Sequence, residues 1–187
     1  MTYKEALDKH VLASAITVFS GDKCVNCETA FSVAKLKSTL NGIAQKFDAK
    51  IKDIVKELKP TDYDSRAEKY RRLHEIETRA KTHDGWNGEG EEPEKPSEEE
   101  LKDAEGLRTE LEGFEQVHAD FVERVNLAYS KIAEEDCGAD CPSLTRNEWC
   151  EIYEVMKGEG VVEVYIDGTQ LTREQFLNVL IHRFVKE

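Results

Sequence analysis

Two long stretches of the chain carry apolar residues at alternating spacings of three and four. The first runs through Val33, Leu36, Leu40, Ile43, Phe47, Ile51, Ile54 and Leu58. The second runs through Leu101, Ala104, Leu107, Leu111, Phe114, His118, Phe121, Val125, Ala128 and Ile132. Such spacing puts each set on one face of a helix, as a helix packed lengthwise against another requires. Read as one helix, the second stretch spans roughly 55 Å at 1.5 Å per residue. Pro60 ends or kinks the first, because proline lacks an amide donor and disfavours helix at the residue before it. Asp62 or Asp64 then caps a continuation to about Ala80 through Ala67, Tyr70, Leu73 and Ile76. Two helices joined at one end most simply pack antiparallel.

The remaining pattern is shorter in period. Leu7, Val11, Ala15 and Val18 share a helical stripe and predict a helix from Thr2 to Phe19, with the β-prone Ile16-Thr17-Val18-Phe19 as a competing strand before the turn at Gly21-Asp22. From His83 to Pro96 the chain reads as loop, and Ser97 followed by Glu98, Glu99 and Glu100 starts a helix. Thr145 to Lys157 predicts a short helix, Val161 to Ile166 a strand, and Asp167-Gly168 a turn into Gln170-Leu171. Thr172 caps a last helix carrying Phe176, Val179, Leu180 and Phe184. The expected fold is mainly α: a long, coiled-coil-like antiparallel helical hairpin on a small α+β base, with one short β-hairpin near the C-terminus. Its expected parts are an N-terminal helix and cysteine turn (1–27), a hairpin arm (28–135) with a flexible acidic loop at 83–97, and a C-terminal α+β segment (136–187) packing at the hairpin base.

Composition agrees with helices: 187 residues contain four prolines and eleven glycines, with 39% apolar and 35% charged residues. Charge adds a functional constraint. The net charge of −13 is uneven, with eleven acids against three bases between Asp84 and Glu110, and ten bases against seven acids between Lys50 and Lys81. Direct nucleic-acid binding is disfavoured, because phosphate contacts need dense Lys and Arg. A basic or nucleic-acid-binding protein is the expected partner, with Trp86, Glu89, Glu91, Glu92, Glu98 and Glu99 as candidate contacts. The competing reading is that these acids only keep a loop solvated. The sequence shows neither a signal-peptide pattern nor an apolar run long enough for a bilayer, so the expectation is a cytoplasmic protein.

Cys24-Val25-Asn26-Cys27 precedes the first long helix, and Cys137-Gly138-Ala139-Asp140-Cys141 follows the second. In an antiparallel hairpin these two ends meet, so the four thiols become candidate ligands of a structural zinc ion. Free thiols are the alternative, as is redox chemistry. Residues Ile16 to Cys27 resemble the strand–CxxC–helix start of thioredoxin-like proteins, although no βαβ unit follows. Packing within a helix accounts for Cys150. The histidines (His10, His74, His83, His118, His182) show no ligand spacing, and His118 falls on the apolar seam as a core residue. Metalloprotease, phosphate-loop, dinucleotide and nucleophile-elbow motifs are missing, which points to a non-enzymatic protein.

The segment Ala30-Phe31-Ser32-Val33-Ala34-Lys35-Leu36, the acidic loop, the second helix and the closing run from Val162-Glu163-Val164 to Leu180 resemble a family of small uncharacterised helical proteins of tailed bacteriophages. The resemblance implies a phage accessory protein that binds and modulates or inhibits a host protein in the host cytoplasm. It transfers no functional residues. Two further functions stay open: a thiol–disulfide oxidoreductase using Cys24 and Cys27, and a structural or assembly component acting as a homodimer.

Overall fold

The computed structural model describes residues 1–86, 88, 93–158, 160–166 and 168–185. The chain is mainly α with a small β part. Its elements are α1 (Tyr3–Ser14), β1 (Phe19–Ser20), β2 (Lys23–Cys24), α2 (Cys27–Leu58), α3 (Tyr63–Asp84), α4 (Glu98–Glu110), α5 (Phe114–Ala133), α6 (Arg146–Met156), β3 (Val161–Ile166), β4 (Thr169–Thr172) and α7 (Arg173–Phe184). They form two compact units, one of Met1–Asp53 with Ala128–Glu187 and one of Ile54–Leu127, so the boundaries fall inside α2 and α5.

In the first unit, the seam of α2 is the buried face. Val33, Leu36, Leu40, Ile43 and Phe47 are each at most 3% exposed. Helix α1 lies antiparallel along α2: Tyr3 at its start meets Phe47 at 5.5 Å between rings. At its end, the Lys37 ammonium donates to the carbonyls of Ser14 and Ile16 at 3.1 and 2.8 Å. That cation caps carbonyls the helix leaves without partners, and burial pulls the Lys37 pKa down. The helix expected to reach Phe19 therefore stops at Ser14. Ile16 turns into the core, and Phe19–Ser20 pairs with Lys23–Cys24 around Gly21, whose φ of 59° suits glycine.

The helices α1, α6 and α7 start with the same device. Thr2, Thr145 and Thr172 each accept the amide three residues on, while Glu5, Glu148 and Gln175 accept the cap residue's own amide. The β3–β4 hairpin is antiparallel, pairing Val161 with Thr172, Tyr165 with Gln170 and Ile166 with Thr169. Between Val161 and Tyr165 the ladder is irregular, and the Gln170 amide donates instead to the Val162 carbonyl at 3.1 Å. Val164 and Leu171 point inward from this hairpin.

In the second unit, α3 and α4 bury Leu73, Ile76, Ala104 and Leu107, joined by Leu111 and Phe114. The second apolar seam is not one helix. α4 ends at Glu110 and α5 starts at Phe114, with Gly113 at φ 74° between them. Leu111 and Phe114 stay buried on both sides of the break, so burial continues where helical geometry does not. The other expected break is present: α2 ends at Leu58 before Pro60, and Asp62 at φ 61° starts α3 without a side-chain cap. Asp64 bonds Lys59 at 2.8 Å instead of capping. His118, expected in the core, is exposed; its Nδ1 shares a 2.6 Å hydrogen bond with the Tyr63 hydroxyl. Among the described residues no helix is long and apolar enough to cross a membrane.

Replacing the buried Phe114 with alanine is expected to destabilise the protein by about 3–5 kcal/mol through the cavity left behind. Gly113→Ala should cost about 1–2 kcal/mol, because an L side chain is strained at that φ. Phe31→Ala, at an exposed position, should stay within about 0.5 kcal/mol of the parent. Urea denaturation followed by circular dichroism ranks the three.

Candidate functional site

The cysteines stand in two separate places. Cys27 is the first residue of α2, with Cys24 on β2 beside it, and both are exposed. The Asn26 carboxamide accepts the Thr29 amide at 2.8 Å and is itself held by Glu151 of α6, which fixes this helix start. Cys137 and Cys141 lie in the loop after α5. There the Cys137 amide donates to the Met1 carbonyl at 3.0 Å, at the start of α1. That end of α1 meets α2 at Phe47, and so does Tyr129 of α5. Phe47 lies twenty residues along α2 from Cys27, about 30 Å at 1.5 Å per residue. The four thiols thus do not converge as proposed ligands, because α5 ends level with the middle of α2 and not with its start. Among the described residues no three His, Cys, Asp or Glu side chains are grouped to share a metal ion. Cys150 is exposed between the buried Trp149 and Ile152, so packing does not account for it.

The acidic stretch has a structural role that its composition hides. Arg72 pairs with Asp103 at 2.6 Å and Arg108 with Glu77 at 2.8 Å, while Arg79 pairs with Glu100 and Lys69 with Glu110. The outermost pairs, Lys69 with Glu110 and Arg79 with Glu100, run in opposite senses along the two helices, as antiparallel packing requires. Exposed pairs of this kind stabilise little each, but wrong registers would bring like charges together. The Glu100 carboxyl is held at about 2, below its ordinary 4.5, first by the Arg79 guanidinium and then by the Ser97 amide. Ser97 and Glu100 form the capping box that starts α4.

What remains of the acidic candidates is smaller. Glu98 and Glu99 are exposed on the first turn of α4 and carry no ion pair among the described residues. Trp86 is exposed just beyond α3. Glu89, Glu91 and Glu92 lie outside the described residues.

Large apolar side chains in solvent are a feature that charge and periodicity did not bring out. In the first unit Phe31 is 72% exposed, Phe19 66%, Tyr165 61% and Val161 55%. Phe31 was legible in principle, since it falls on the side of α2 opposite the Val33–Phe47 seam. Phe19 depends on where α1 ends, which local pattern left open. Comparison with known proteins adds no relative to this geometry: no family model matches the chain, and no curated protein or solved structure matches it significantly.

The Glu100 carboxyl supplies a direct check of the α3–α4 register. Its contribution to stability should be fully present above pH 4.5 and fade as pH falls toward 2, since the folded form binds the proton less readily. Carboxyl-resolved NMR should find its midpoint near 2, and Arg79→Gln should move that midpoint up toward the ordinary range.

Proposed function

We propose that the protein acts by binding another protein and that it performs no chemistry of its own. The observation that carries this reading is the exposure of Phe19 and Phe31, the two most exposed large apolar side chains among the described residues. Both belong to the short segment that ends at the first turns of α2, a start pinned by Asn26 and Glu151. Aromatic side chains held in solvent on a rigid element are what a partner's pocket takes up, with large apolar gain and little entropy to lose. Glu98 and Glu99, exposed and without an ion pair among the described residues, favour, with the net charge of −13, a partner with a basic surface and speed its encounter. A phage accessory role, and inhibition of a host protein, rest on the pattern resemblance alone.

A second reading has its own observation. Cys27 opens α2 and Cys24 is exposed beside it, an accessible Cys-x-x-Cys pair at a helix start. Thiol–disulfide exchange at this pair would give insulin-reducing activity, abolished in Cys24→Ser; activity of that kind would replace the binding reading.

A tagged pull-down from nuclease-treated bacterial lysate, quantified by mass spectrometry, tests the binding reading. A stoichiometric partner should be captured by the parent, lost by more than tenfold with Phe19→Ser/Phe31→Ser, and weakened only at low salt by Glu98→Gln/Glu99→Gln. Equal capture by the Phe19/Phe31 double variant, shown folded by circular dichroism, would remove those side chains from the function.

A further inference from the structure

Beyond protein binding, we propose that the first unit holds a site for a small phosphate monoester. The site is a cleft of about 550 Å³ lined by Lys9 of α1, Cys141 of the loop after α5, and His182 and Arg183 from the last turn of α7, with Glu5 and Asp140 at its sides. That volume falls in the range of small-ligand clefts.

In a chain whose acids outnumber its bases 39 to 26, this cleft sets two cations, Lys9 and Arg183, against two carboxylates, Glu5 and Asp140. Neither Lys9 nor Arg183 is in an ion pair among the described residues although Glu5 and Asp140 line the same cleft, and Lys9 bonds the Cys141 thiol instead. Two permanent cations on different helices face one space and match the two charges of a phosphate monoester. The Arg183 guanidinium offers a planar fork of donors, and Lys9 and His182 supply donors for a third oxygen. A position in the last turn of α7 suits His182 and Arg183 to the helix dipole, but the dipole does not account for Lys9 facing them from α1. Cys141 adds no opposing charge, since burial pushes its thiol up and keeps it protonated at neutral pH. Of the two carboxylates, Glu5 already accepts the Thr2 amide at 3.1 Å. Asp140 stays available to a hydroxyl or amine on the ligand's other end.

The walls are fixed before any ligand arrives. The loop carrying Cys141 is tied to α1 by the Cys137 amide on Met1 and to α7 by the Leu144 amide on the Phe184 carbonyl at 2.8 Å. Asp136 braces the same loop by accepting the Gly138 amide at 2.9 Å. A preformed cleft loses little entropy on binding.

Titration of the full chain with inorganic phosphate at pH 7, against chloride at matched ionic strength, is the test. Saturable NMR shifts at His182 and Cys141 are expected, with several-fold slower alkylation of Cys141 by iodoacetamide. Lys9→Ala and Arg183→Gln should each weaken phosphate binding tenfold or more. Arg183 is exposed, so its variant keeps the test valid if Lys9→Ala fails to fold. Shifts no larger than those from chloride, or phosphate binding unchanged in the Arg183 variant, would overturn the site. Succinate binding as tightly as phosphate would overturn the phosphate assignment.

Discussion

The seam of Val33, Leu36, Leu40, Ile43 and Phe47 is the contact on which the first unit depends. It gives α1 a surface to lie along, with Tyr3 on Phe47 at one end and Lys37 on the carbonyls of Ser14 and Ile16 at the other. Those two contacts set where α1 begins and stops. They also direct the chain beyond it: because α1 stops at Ser14, the β1–β2 turn forms and Phe19 is left in solvent. The start of α1 in turn anchors the loop after α5 through Met1, which brings Cys141 and α7's last turn around Lys9. The two surfaces assigned a role in this unit are thus consequences of one packed helix face.

The second unit rests on a different balance. Its core is short, six buried residues from Leu73 to Phe114, and its helices carry opposite charge excesses. Four ion pairs join α3 and α4, and three of the eleven acids between Asp84 and Glu110, namely Glu100, Asp103 and Glu110, are taken up in them. Glu94, Glu98, Glu99 and Glu105 stay exposed without an ion pair among the described residues. Glu100, Asp103 and Glu110, by contrast, are occupied in the pairs with α3.

Binding through exposed aromatics and binding of a small anion are compatible in one protein, because they use different residues of the first unit. Phe19 and Phe31 belong to the start of α2, whereas Lys9 and Arg183 belong to the cleft closed by the loop after α5. The separation of Cys24 and Cys27 from Cys137 and Cys141 reflects the same layout.

Much of this fold was legible in local order. The 3–4 spacing determined the long helices, Pro60 the break after α2, and the pattern of Ser or Thr followed three residues later by Glu or Gln the starts of α1, α4, α6 and α7, because each rests on atoms a few residues apart. The strand at Val161–Ile166 and its turn were readable for the same reason. Other features needed partners distant in sequence. The seam residues Leu111 and Phe114 keep the period through the turn at Gly113, so periodicity alone could not reveal the break between α4 and α5. His118 keeps the seam's spacing yet stands exposed, because Tyr63 rather than the core takes its ring nitrogen. The end of α1 was decided by Lys37, more than twenty residues away. The meeting of thiols failed on register: spacing says that two helices pair, but only the packed side chains decide that α5 ends opposite Phe47 and not opposite Cys27.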